Sequence, residues 1–221
     1  MTPTVTAAAA RAPDLSQLGV DTSRPLLIVD VDEVLGLFID GFGRFVSARN
    51  LEFRVERFAL FQNIYRPGQS EHIDPAEGKA LLDDFFRYGC GDIDPAPGGA
   101  EALRGLSGRA GVVILSNAPP QGRLARARWL GRHGLDYPLV LNSGPKGPLA
   151  AALAAQCAGP SVFIDDLLPN LDSVEKTAPH ITRFQMVADQ RLRPMAPSAP
   201  DRHRRIDDWP ELAEAILDVI S

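Results

Sequence analysis

Two aspartates separated by one residue, Asp30 and Asp32, follow the apolar run Leu26-Leu27-Ile28-Val29, and a second acidic pair, Asp165-Asp166, follows Val162-Phe163-Ile164. Between these pairs lie Ser116-Asn117, after Val112-Val113-Ile114-Leu115, and Lys146, in the turn Gly144-Pro145-Lys146-Gly147. Alone, Asp30 and Asp32 read equally well as a solvated turn or as part of a site. Four carboxylates gathered together change the balance, because two of them about 4 Å apart repel by roughly 4 kcal/mol at an effective dielectric near 20. Such a group needs protons or cations. A hard divalent ion is the natural counter-charge, and Mg²⁺ takes one or two carboxylates together with waters and phosphate oxygens. Ser116 and Lys146 then supply the hydroxyl donor and positive charge that a phosphoryl group's oxygens require. An Asp-x-Asp unit can also divide its labour: one carboxylate attacks phosphorus, and its neighbour moves the proton of the leaving oxygen and later of a water.

This chemistry requires elements that bring the strand ends together. The run from Leu26, entered through Pro25, reads as a buried parallel strand. After it, Leu35 to Asn50 carries Leu35, Phe38, Phe42, Phe45 and Val46 at helical spacing. Arg44 within this helix is a candidate contact to an anionic substrate. The segment Glu52 to Tyr65 has no clean period. Asp74-Pro75-Ala76-Glu77 opens a better-marked helix, with an N-cap aspartate, proline at the first helical position and a capping-box glutamate. From Ala100 onward strands and helices alternate, which predicts a parallel sheet with helices on both faces. The expected architecture is an α/β, doubly wound (Rossmann-like) parallel sheet carrying a small, mainly helical cap insertion. Residues 25–34 and 93–221 form the core in this reading, residues 35–92 the cap, and residues 1–24 a disordered tail. In a parallel sheet all the polar strand ends converge on one edge, where open α/β folds bind ligands.

The residues Asp30-Val31-Asp32-Glu33-Val34, Ser116, Lys146 and Asp165-Asp166 resemble, in order and in the element each occupies, the four motifs of the haloacid dehalogenase-like hydrolase superfamily. The resemblance extends from Leu26 over nearly all of the remaining chain. It implies that Asp30 is a nucleophile forming an aspartyl-phosphate and Asp32 a general acid/base. Ser116 and Lys146 would hold the phosphoryl group, with Asn117 beside them. Asp30 and Asp166 would be the principal side-chain ligands of Mg²⁺, with Asp165 beside them as a ligand or as support for one, and Asp32 would contribute its backbone carbonyl. Members that cleave carbon–halogen bonds usually lack the second aspartate, so Asp32 favours a phosphatase over a 2-haloacid dehalogenase. Asp-Val-Asp-Glu-Val-Leu followed by a Phe-rich helix is also similar to the 5′(3′)-deoxyribonucleotidases, where Phe38, Phe42 and Phe61 would stack on a base; core packing is the commoner role for such phenylalanines.

Composition narrows the alternatives. The 221 residues carry 28 acidic and 23 basic side chains, which argues against electrostatic capture of a nucleic-acid polymer or an anionic membrane. No apolar run approaches the roughly 18 residues of a membrane span. Two cysteines, Cys90 and Cys157, without CxxC spacing fit a reducing cytoplasm and act as packing groups. His72, His133, His180 and His203 are scattered. Ser116 lacks a Gly-x-Ser-x-Gly setting, and neither a dinucleotide fingerprint nor a P-loop occurs. The Pro- and Arg-rich connection from Ala188 to Arg205 can close over an anion, but reads more simply as a surface loop. The expected partner is a small phosphorylated molecule. A non-catalytic module binding a phospho-ligand or a protein is the reading from another class, although a binder has no need of both acidic pairs.

Overall fold

The computed structural model describes residues 12–221. Six strands form one parallel sheet: β1 (Leu26–Val29), β4 (Gly111–Ser116), β5 (Leu139–Leu141), β6 (Ser161–Asp165), β7 (Thr182–Gln185) and β8 (Arg204–Arg205). A separate antiparallel pair, β2 (Glu52–Phe53) and β3 (Ile64–Tyr65), lies within the stretch between β1 and β4. The sheet order is β5-β4-β1-β6-β7-β8. From β1 the chain crosses to β4 on one side, and from β6 it crosses to β7 on the other. The topological switch point therefore lies between β1 and β6, with Asp30 and Asp165-Asp166 at its carboxyl edge.

Side chains of β1 alternate between two cores, as the pleat requires. Leu26 and Ile28 join Val113, Leu115 and Phe163 beneath α5 (Gly147–Ala154) and α6 (Leu168–Thr177). Leu27 and Val29 face the core of α3 (Gly99–Ser107), α4 (Arg123–Arg132) and α7 (Trp209–Ile220), where Trp129 and Trp209 are fully buried. Caps follow the sequence signals: the Asp208 carboxylate accepts from Glu211 N–H at the start of α7. No helix among the described residues is long and apolar enough to cross a membrane.

Between β1 and β4, α1 (Phe38–Ser47) and α2 (Pro75–Tyr88) pack through an aromatic cluster. Phe85 meets Phe38, Phe42 and Phe45 edge-on, with ring centroids 5.3 Å apart in each pair. The Asp74 carboxylate caps α2 by accepting from Ala76 N–H at 2.7 Å. The irregular pattern of residues 52–65 has a simple cause: the chain there folds into two two-residue strands joined by an irregular loop, too short to show either period.

One expectation needs correction. Residues 1–11 lie outside the described residues, but residues 12–24 are not a disordered tail. Leu15 is fully buried in the α5–α6 core and Val20 nearly so. Leu15 N–H donates to Gln156 Oε1 at 2.9 Å, and Gln156 Nε2 donates to the Pro13 carbonyl at 3.1 Å. Two apolar side chains among polar residues were too sparse to reveal this docking in the sequence.

Candidate active site

Asp30 is the first residue beyond β1, and its N–H continues the sheet by donating to the Ile164 carbonyl at 3.0 Å. This register sets its side chain beside the end of β6. Lys146, at the start of α5, is completely buried and reaches both carboxylates: Nζ lies 2.7 Å from Asp30 Oδ1 and 2.7 Å from Asp165 Oδ2. The position of Lys146 depends on Gly147, because a Cβ at Gly147 would lie 2.2 Å from the Ser173 carbonyl oxygen. Only glycine lets α5 approach α6 this closely.

Asp165 is held further by Leu167 N–H at 2.9 Å and by Asn170 Nδ2 at 3.0 and 3.2 Å to its two oxygens. Asp30, Asp165 and Asp166 are all buried, and each offers a carboxylate oxygen within 4.8 Å of the others. Burial, together with repulsion from Asp165 and Asp32, pushes the Asp30 carboxyl up to about 7 despite Lys146. Burial and the neighbouring Asp165 and Asp30 charges likewise hold Asp166 well above the usual carboxylate range. For Lys146, burial favours the neutral form, but Asp165 and Asp30 outweigh it and hold the ammonium above its usual value. With all three carboxylates ionised, one ammonium would leave two negative charges. An all-oxygen donor set with that deficit fits a hard divalent cation such as Mg²⁺.

Asp32 points the other way, toward α4. One of its oxygens accepts from Arg126 Nη2, and Arg126 is completely buried although the Asp32 side chain is 25% exposed. The guanidinium also lies over Phe38 and Phe86, 5.9 and 5.6 Å from their ring centroids. Sequence reasoning missed Arg126, because an arginine in an arginine-rich helix reads as solvated. The available signal was its place one turn before Trp129 and Leu130, on the buried face.

Glu33 is a second unanticipated member. It adopts φ of 58°, a left-handed conformation unusual for a side chain with a Cβ. Its carboxylate accepts from Ile39 N–H at 2.7 Å in the first turn of α1 and from Asp189 N–H at 3.2 Å. It thus stands in for the missing N-cap of α1 and ties the turn after β1 to the loop after β7. Burial pushes Glu33 up to about 7, against the pull of those hydrogen bonds.

A cavity of about 290 Å³ opens over these groups, with Asp30, Asp32, Lys146, Asp166 and Asn117 among its lining residues. Ser116 lies at the end of β4, fully buried, and its Oγ accepts from Ala118 N–H at 3.2 Å, so the hydroxyl keeps its proton to donate. Arg44 is not brought to the cavity. It is spent on the opposite side of α1, bonded to Asp40, to Asp94 at 2.9 Å and to the Asp92 carbonyl at 3.2 Å. Phe42 is likewise sealed in the aromatic cluster and Phe61 packs against Gly78, leaving Phe38 as the one phenylalanine of those three at the cavity.

No family model and no curated protein matches the sequence. Solved structures do match the fold. The chain is similar to the HAD-hydrolase YfnB from Bacillus subtilis, bound to magnesium, at 14% identity and a TM-score of 0.60, over 87% of this chain and 98% of that one. It is similar to a haloacid dehalogenase-like family hydrolase from Streptococcus pneumoniae at 13% identity and a TM-score of 0.57, over 89% of this chain and 100% of that one. CbbY from Rhodobacter sphaeroides, in complex with phosphate, matches at 16% identity and a TM-score of 0.51, over 85% and 95%. The fold is that of the haloacid dehalogenase-like hydrolases.

Proposed function

We propose that this protein is a Mg²⁺-dependent phosphatase that hydrolyses a small phosphomonoester through an aspartyl-phosphate on Asp30. The observation that carries the reading is the meeting of Asp30, Asp165 and Asp166 at the switch point, with Lys146 Nζ 2.7 Å from two of them. A fold shared with hydrolases, one of them bound to magnesium, and with CbbY in complex with phosphate, supports it. The stretch from residues 35–92 acts as the cap over this site.

Asp30, Asp165 and Asp166, with the Asp32 carbonyl, hold the metal, which supplies positive charge to the phosphoryl oxygens when bound. Lys146 and the Ser116 hydroxyl share the remaining oxygens. An Asp30 carboxylate oxygen forms a bond to phosphorus while the ester P–O bond breaks. Asp32, which takes up a proton on the oxygen not held by Arg126 when the anionic ester binds, delivers it to the departing oxygen, then takes one from a water that attacks phosphorus and displaces the Asp30 oxygen, releasing phosphate and restoring Asp30. The Arg126 contact occupies one Asp32 oxygen and leaves the other for this exchange.

Purified protein with Mg²⁺ is expected to release phosphate from an aryl phosphate and to stop on adding EDTA. Asp30→Asn is expected to abolish turnover; full activity in that variant overturns the assignment of the nucleophile. Asp32→Asn should slow esters of poor leaving groups by about 10²- to 10⁴-fold, sparing good ones in part, with no chloride released from 2-chloro acids.

A further inference from the structure

The cavity above Asp30 has two unlike halves. Its floor is the charged set already described. Its walls are Phe38, Ile39, Phe58, Leu60, Leu167 and Leu192. Leu167 is one of the few large apolar side chains left exposed, at 40%. These residues come from four separate stretches of chain: the start of α1, the loop before β3, the β6–α6 turn, and the loop after β7.

The polar side chains lining the cavity beyond the reacting set are largely engaged by the protein itself. Asn117 donates through Nδ2 to the Gly144 carbonyl at 3.0 Å and accepts through Oδ1 from Asn142 Nδ2 at 2.8 Å. Both Glu33 oxygens accept backbone N–H groups, and Asn170 Nδ2 is spent on Asp165. Among the described residues Lys146 is the single cation in the lining, and it stands between Asp30 and Asp165. A hydroxyl-rich leaving group would lose water there without finding donors and acceptors in exchange. A second carboxylate or phosphate would meet walls that carry no cation. An apolar group meets matching walls.

Size is compatible with this. A dry apolar cavity of roughly 150 Å³ accepts benzene, so about 290 Å³ has room for a phosphoryl group and one ring within its walls. We infer that the substrate is the phosphomonoester of an uncharged alcohol whose apolar part, on the scale of a single ring, lies against these walls, rather than a sugar phosphate or a phospho-acid. This inference rests on the phosphatase reading.

Phosphonates, whose C–P bond cannot be hydrolysed by this route, separate the two questions. Calorimetric titration of the full chain in Mg²⁺ compares benzylphosphonate with a glucose 6-phosphonate analogue and with phosphonoacetate. Benzylphosphonate is expected to bind at least about tenfold more tightly than either, the scale of discrimination an apolar pocket commonly reaches. Leu60→Asn and Phe58→Ala, checked for an unchanged melting transition, are each expected to erase most of that preference. Equal or tighter binding of the sugar or acid phosphonate overturns the inference, as does the absence of any difference among the three. Selective benzylphosphonate binding without phosphate release from benzyl phosphate overturns the phosphatase reading and leaves the ligand class standing. Turnover that favours a sugar phosphate does the reverse.

Discussion

Asp32 and Arg126 form a pair that 94 residues of chain separate, and under the proposed mechanism it couples stability to the reaction. Arg126 is completely buried and Asp32 is its anionic partner, so removing the carboxylate strands a cation in the core. Breaking a buried pair costs about 3–5 kcal/mol, and the partial exposure of Asp32 lowers this to about 2 kcal/mol. Asp32→Asn is therefore expected to shift the urea midpoint downward as well as slow turnover. The double variant Asp32→Asn/Arg126→Met should recover part of the lost stability but none of the activity. An additive double-mutant cycle would show that the pair carries no coupling. The aspartate was legible from its place at a strand end. Its partner was not, because nothing within α4 announces which distant group it meets.

Elements set the site through a few close approaches. Gly147→Ala would drive a Cβ into the Ser173 carbonyl, so α5 must move away from α6 and carry Lys146 with it. The expected outcome is a loss of about 1–3 kcal/mol, read from thermal melting, with a fall in kcat/KM that a surface glycine change such as Gly68→Ala does not reproduce. The far end of the same sheet holds a different contact. Asp172 on α6 is hydrogen-bonded to His203 Nε2 at 2.8 Å and lies 2.7 Å from Arg202. The His203 bond, opposed by slight burial and aided by Arg202, holds the Asp172 carboxyl below its ordinary value of 3.8. A carboxyl depressed in the folded state binds fewer protons there than in the unfolded chain, so its contribution is present above pH 3.8 and fades as pH falls through the lower folded value. Asp172→Asn should accordingly flatten the decline of stability below pH 4, measured as urea midpoints at pH 5 and pH 3. These arginine contacts also explain the Ala188 to Arg205 connection. Arg191 is held by Asp189, Arg193 by the Val187 and Asp207 carbonyls, and Arg205 by Asp207, so the segment braces the sheet edge rather than gripping an anion.

Across the whole molecule, the proposed metal site would link ion binding to folding through the buried acidic set. A ligand present at a hundred times its dissociation constant adds about 2.7 kcal/mol of stability. Mg²⁺ is therefore expected to raise the melting temperature of the native protein and to leave that of Asp166→Asn almost unchanged; an equal rise in both would place the ion elsewhere. Much of this arrangement is written locally in the chain. Short apolar runs ending on Asp30, Ser116 and Asp165, helix starts at Asp74 and Asp208, and the alternation of strands and helices are patterns within a few residues, so they report a parallel sheet and a polar edge directly. What the tertiary structure alone decided involves partners far apart in sequence. It seats Arg126 behind Asp32, docks Leu15 beneath α5, turns Arg44 toward Asp40 and Asp94, and lines the cavity with apolar side chains from four separate stretches. Periodicity tells which face of an element is buried, but only packing determines what that face meets.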